Sequence, residues 1–83
     1  MLNIQYFASI RETLGQTSEQ LLIPENVRTV ADLAHHLAQR GQAWQQLDDH
    51  KQVLIAVNQQ VADRSALLHG DEEVAFFPPM TGG

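Results

Sequence analysis

The strongest constraint on this chain's fold is a single amphipathic stripe with strand-like runs on either side of it. Val30, Leu33, Ala34, Leu37 and Ala38 recur at helical spacing and place one apolar face on one helix. Thr29 stands where an N-cap belongs, with Asp32 three residues on as a variant of the capping box, which prefers Glu or Gln there. Gly41 is the expected C-cap. A lone helix must bury its stripe against something else, and the rest of the chain offers strands. Leu2, Ile4 and Tyr6 alternate with Asn3, Gln5 and Phe7, the period of a half-buried strand. Residues 9–14 read as a short helical turn stopped by Gly15, and 18–23 as a second strand ended by Pro24. Ala43–Leu47 reads as a short turn that folds Trp44 and Leu47 back onto the core. Val53–Val57 is a compact apolar run, Asn58-Gln59-Gln60 a tight turn before a short strand at Val61, and Glu72–Phe77 a final alternating strand.

The order is strand, strand, helix, strand, short strand, strand. One sheet face, built from Leu2, Ile4, Tyr6, the 53–57 run, Val74 and Phe76, must cover the helix. This is an α+β arrangement, a mixed sheet on one main helix of the ubiquitin-like β-grasp kind, in which the first and last strands are expected as central parallel neighbours. Residues 1–77 form the domain and 78–83 a flexible tail ending in Gly-Gly.

With 83 residues, one modest core is all that can be built. A net charge of −5 with five scattered basic residues (Arg11, Arg28, Arg40, Lys51 and Arg64) disfavours a nucleic-acid partner. The absence of cysteine excludes disulfides, thiolate metal ligands and a cysteine nucleophile. His35 and His36 are adjacent and point to different sides of the helix, and His50 and His69 fall in expected loops, so no metal site is expected. No serine has a His–Asp context, and no glycine-rich phosphate loop is present. Asp48-Asp49 and Asp71-Glu72-Glu73 read as solvated acidic surface, the latter near enough to the tail to steer docking onto a basic partner. No basic leader or membrane-length apolar run is seen, and a cytoplasmic protein is the expectation.

The segment FFPPMTGG carries the chemistry. Pro78 and Pro79 stiffen the exit from the last strand, Met80 and Thr81 follow, and Gly82 and Gly83 make the end slender. Such a tail can enter a narrow channel and present a carboxylate. That anion is a poor electrophile until it is activated, most simply as an acyl-adenylate. A sulfur nucleophile would then yield a thiocarboxylate, which stores sulfur without any cysteine.

The tail, together with Tyr6-Phe7-Ala8-Ser9-Ile10-Arg11-Glu12, Ala56-Val57-Asn58-Gln59 and Gly70-Asp71-Glu72-Glu73-Val74-Ala75, resembles the small sulfur-carrier subunits of molybdopterin synthase. The resemblance runs from end to end, and the middle helix matches in pattern more than in letters. It implies that an activating enzyme adenylates Gly83 with ATP and magnesium and that a sulfurtransferase system makes the thiocarboxylate. It also implies insertion of residues 78–82 into a large subunit that holds the catalytic residues, so this chain binds no cofactor itself. Sulfur would pass there to a cyclic pyranopterin phosphate, with two carriers consumed per product in a heterotetramer. Phe7 and Phe77 point away from the helix on neighbouring strands and form a candidate partner patch, which Val61 extends; Arg11 can pair with an acidic group on a partner. The alternatives are a carrier for thiamine or thionucleoside synthesis, which typically lacks the Phe-Phe-Pro-Pro run, a lysine-ligated modifier, and an interaction module without chemistry.

Overall fold

The computed structural model describes residues 1–79. The N-terminal strand β1 (Leu2–Tyr6) is followed by the short helix α1 (Ala8–Leu14), strand β2 (Ser18–Leu21) and the main helix α2 (Val30–Ala38). A 3₁₀ segment (Gln42–Asp48), the hairpin β3 (Leu54–Val57) and β4 (Gln60–Val61), and β5 (Glu73–Phe77) complete the order. The sheet runs β2-β1-β5-β3-β4. β1 and β5 pair in parallel, with Ile4 beside Val74 and Tyr6 beside Phe76, while the other neighbours are antiparallel. This is the expected β-grasp.

Alternation decides which side chains go inside. Leu2, Ile4, Tyr6, Val53, Ile55, Val74 and Phe76 are buried on one face, and Val30, Leu33, Ala34 and Leu37 of α2 pack into the same core. Phe76 stacks on Tyr6 with centroids 5.7 Å apart, and Trp44 meets Tyr6 edge-on at 5.6 Å. Leu47 is fully buried and Trp44 half-buried, so the 3₁₀ segment folds back as the sequence suggests.

The capping box on α2 is complete. The Asp32 N–H donates to Thr29 Oγ1 at 3.1 Å, and the Thr29 N–H donates to Asp32 Oδ2 at 3.1 Å. Aspartate therefore closes the box as glutamate would. The helix does not reach Gly41: its C-cap is Gln39, in right-handed geometry. The last turn tightens, with the Gln39 N–H donating to the His36 carbonyl and Arg40 to Leu37, and Gly41 (φ 154°) opens the 3₁₀ segment instead. Asn58 and Gln59 both have positive φ (50° and 70°), the two-residue hairpin geometry that matches the strand twist.

One network had no sequence signature. The Tyr6 hydroxyl donates to Glu19 Oε2 at 2.8 Å, and Arg40 grips both Glu19 oxygens at 2.6 and 2.8 Å while lying over Trp44. Burial, reinforced by Glu19, pushes the Tyr6 hydroxyl well above the ordinary tyrosine range. These side chains tie edge strand β2 to the residues just past α2. Among the described residues, no helix is long and apolar enough to cross a membrane.

Candidate functional site

The sheet face opposite α2 divides into two halves. On the β1–β2 side it is polar, with Asn3 opposite Gln20 and Gln5 opposite Ser18. Here Gln20 Nε2 donates to Asn3 Oδ1 at 3.1 Å, and Gln5 Nε2 reaches Glu73 Oε1 at 3.4 Å. On the β5–β3–β4 side it is apolar: Phe77 opposes Leu54, Ala75 opposes Ala56, and Ala56 opposes Val61. Val61 is 73% exposed and Phe7 42%. An exposed apolar area bordered by self-satisfied polar groups makes this face the candidate docking surface.

Phe7 joins this patch from the end of β1. The strand stops at Tyr6, but the Phe7 backbone stays extended (φ −121°, ψ 152°), and its N–H still donates to the Phe76 carbonyl at 3.1 Å. The alternation therefore runs one residue beyond the strand, leaving Phe7 next to Phe77 in register. Ala8, with φ 53°, then turns the chain sharply into α1. Arg11 follows one helical turn after Phe7, its N–H donating to the Phe7 carbonyl at 3.3 Å. Its residue is exposed, and its guanidinium makes no hydrogen bond or ion pair among the described residues.

The structure thus brings Phe7, Arg11 and Phe77 to one end of the sheet, where Pro78 and Pro79 leave it half-buried. Val61 lies two strands away on the same face. Met80, Thr81, Gly82 and Gly83 lie outside the described residues. Leu54, Ala56 and Ala75 complete the patch. Their signal was available in the sequence: if Val53 and Ile55 face inward, Leu54 and Ala56 must face out.

A groove of about 520 Å³ continues from Leu54 and Val61 toward Arg64 and Ser65. Arg64 is already engaged, donating to the Leu47 carbonyl at 2.7 Å and the Val53 carbonyl at 2.8 Å. Its burial lowers its pKa, and its part is to hold the start of β3 against the 3₁₀ segment. No group of three or more His, Asp or Glu side chains able to hold a metal occurs among the described residues.

The acidic run before β5 requires a correction. Glu72 is buried and not a solvated docking charge. Its Oε1 accepts from the Gly70 and Asp71 N–H groups at 2.9 and 3.2 Å, and its Oε2 accepts from His69 at 2.8 Å. Burial pushes its carboxyl up, but these backbone bonds outweigh burial and hold it below the usual glutamate value. Gly70 makes the turn possible: at φ 120°, a Cβ there would stand 3.1 Å from Ile23 Cγ2.

A stability prediction follows for Glu72. Because the folded pKa is depressed, the stabilisation is present above the ordinary glutamate pKa and is lost as pH falls through the depressed value. Glu72→Gln should cost about 1–3 kcal/mol at neutral pH, the scale of charge-assisted bonds left poorly paired. Urea titrations of both proteins should show the gap closing below about pH 4. A gap that stays constant with pH would show that the charge does not matter.

The ThiS family model matches residues 4–83. The molybdopterin synthase sulfur carrier subunit of Haemophilus influenzae is 36% identical over 100% of both chains. That of Escherichia coli is 34% identical, again over 100% of both. Among solved structures, small archaeal modifier protein 1 from Methanosarcina acetivorans superposes with a TM-score of 0.74 at 22% identity, covering 99% of this chain and 95% of that one; at that identity the likeness is one of fold.

Proposed function

Because this chain belongs to the ThiS family, we propose that it is a sulfur carrier of molybdopterin synthase whose working group is the Gly83 carboxylate. The observation that carries this reading is the full-length likeness to sulfur carrier subunits of that name, joined to a tail of two prolines and two glycines that leaves the sheet beside an apolar patch. An adenylating enzyme supplies ATP and magnesium, and its nucleotide activates Gly83. A sulfide-level donor then attacks the acyl carbon, AMP leaves with the bridging oxygen and its electron pair, and a thiocarboxylate remains. The patch of Phe7, Leu54, Val61 and Phe77 seats the carrier first on that enzyme and then on the large synthase subunit, where Pro78–Gly82 enter the active site. Sulfur is delivered there to the cyclic pyranopterin phosphate. The domain's part is placement: it fixes where the tail starts and which face meets the partner.

Intact mass measurement tests this reading. After incubation with the adenylating enzyme, ATP, magnesium and a sulfur donor, the protein should gain the mass of one oxygen-to-sulfur exchange, located on the C-terminal peptide. An unchanged mass under conditions that charge the Escherichia coli carrier would overturn the proposal.

A further inference from the structure

The sequence has ten acidic and five basic residues, yet the sheet face opposite α2 is almost free of charge. Of the side chains that register and alternation turn outward on β1 to β5, only that of Glu73 ionises. Its neighbour Val74 is fully buried, so Glu73 faces out, half-buried, and Gln5 Nε2 donates to its Oε1 at 3.4 Å. Its other oxygen takes no hydrogen bond or ion pair among the described residues. Glu19 and Glu72, in contrast, use both oxygens inside the fold. The backbone under Glu73 is clamped: the Asn58 N–H donates to the Glu73 carbonyl at 2.8 Å, and the Glu73 N–H donates to Asn58 Oδ1 at 3.1 Å. Asn58 does this at φ 50°, a left-handed geometry that asparagine adopts more readily than most side chains. The clamp fixes Glu73 about 13 Å along β5 from Phe77, at the end of the face away from Arg11. The face therefore has a charge axis, with a cation where the chain leaves through Pro78, an apolar middle and an anion at the far end.

On the reading of this face as the seat for the large synthase subunit, we infer that Glu73 meets a lysine or arginine of that subunit in a covered ion pair and so sets which way round the carrier docks. A carboxylate covered by an apolar or neutral surface loses water that nothing replaces, and binding weakens. A cation opposite it supplies the replacement. The apolar middle provides contact area but reads direction poorly, because one apolar surface fits another in many orientations. The charge axis does read it. A carrier turned end for end would bring Glu73 against the group that receives Arg11, and like charges placed together cost affinity. Only one of the two orientations sends the chain beyond Phe77 toward the same point on the partner. Glu73 is thus the specificity-determining charge of the face, and the docking role read from the acidic run falls to this one of its three carboxylates.

The test titrates the full chain and two variants against its own large synthase subunit by calorimetry, with thermal unfolding of each carrier measured alongside. Glu73→Gln keeps the size of the side chain, can still accept from Gln5 and leaves the core untouched, so it should melt within a few degrees of the parent. Its affinity should nevertheless fall about 30-fold or more, the effect of removing one member of a covered charge pair. Glu73→Lys, which sets like charges against each other, should bind more weakly still. A neutral surface opposite Glu73 gives the reverse sign for the first variant, because glutamine is easier to strip of water than a carboxylate. Equal or tighter binding by Glu73→Gln, or the same loss in both variants, would overturn the ion pair. An unsubstituted chain that failed to bind the large subunit would overturn the carrier reading itself, and the pair with it.

Discussion

A chain extended by one alanine past Gly83 should fold as well as the parent and carry no sulfur. Among the described residues the core ends at Phe76, eight positions before the added alanine. Thermal unfolding should therefore shift by no more than about 1 °C, the scale of a surface change within a few tenths of a kcal/mol. The chemistry, in contrast, is set by where the reacting carbon sits. An added residue moves the carboxylate one position deeper and places a methyl group beside it. A misplacement of about 1 Å can already cost about 100-fold in rate, and one residue spans about 3.5 Å. Thiocarboxylate formation should fall below detection, while binding to the large subunit through the sheet face falls by less. If the extended chain charged at the parent rate, the reacting group would have to lie elsewhere.

Much of the architecture was legible because it depends on local periodicity. The alternation of Leu2, Ile4 and Tyr6, and that of Val74 and Phe76, specifies an inner face wherever the strands are placed. Thr29 and Asp32 mark the start of α2 through bonds that span three residues. What could not be read depends on contacts far apart in sequence or on backbone geometry. Glu19 and Arg40 are separated by 21 residues, and nothing in either segment announces the pair. Glu72 looks like one of three equivalent acids until the turn at Gly70 points three N–H groups at it. Gly41 was misplaced for a related reason: a glycine after a helix suggests a cap, but this helix had already closed at Gln39. The exposed apolar patch lies between these cases. Phe7, Val61 and Phe77 stood out singly, yet only the register shows that Leu54 and Ala56 join Phe77 to Val61.

Adjacent residues of β5 should fail in opposite ways. Phe76 is fully buried and stacked on Tyr6, whereas Phe77 faces outward opposite Leu54 and is only partly covered. Phe76→Ala removes a ring from the centre of the core and leaves a cavity, at a cost of about 3–5 kcal/mol. A domain of this size holds about 4–12 kcal/mol in all, so the variant should melt at least about 12 °C lower, and its sulfur transfer should fall through loss of folded protein. Phe77→Glu leaves the core untouched and should hold its melting temperature within a few degrees. It replaces an apolar anchor with a charge that must be desolvated on docking, and a residue at the centre of such a patch is worth about 2 kcal/mol or more. Affinity for the large subunit should drop at least about 30-fold, read by calorimetric titration, with the circular dichroism spectrum unchanged. Phe77→Leu, which keeps the apolar contact, should recover most of that loss. A Phe77→Glu protein that bound normally would remove this face from the interface and leave the tail alone to make the contact.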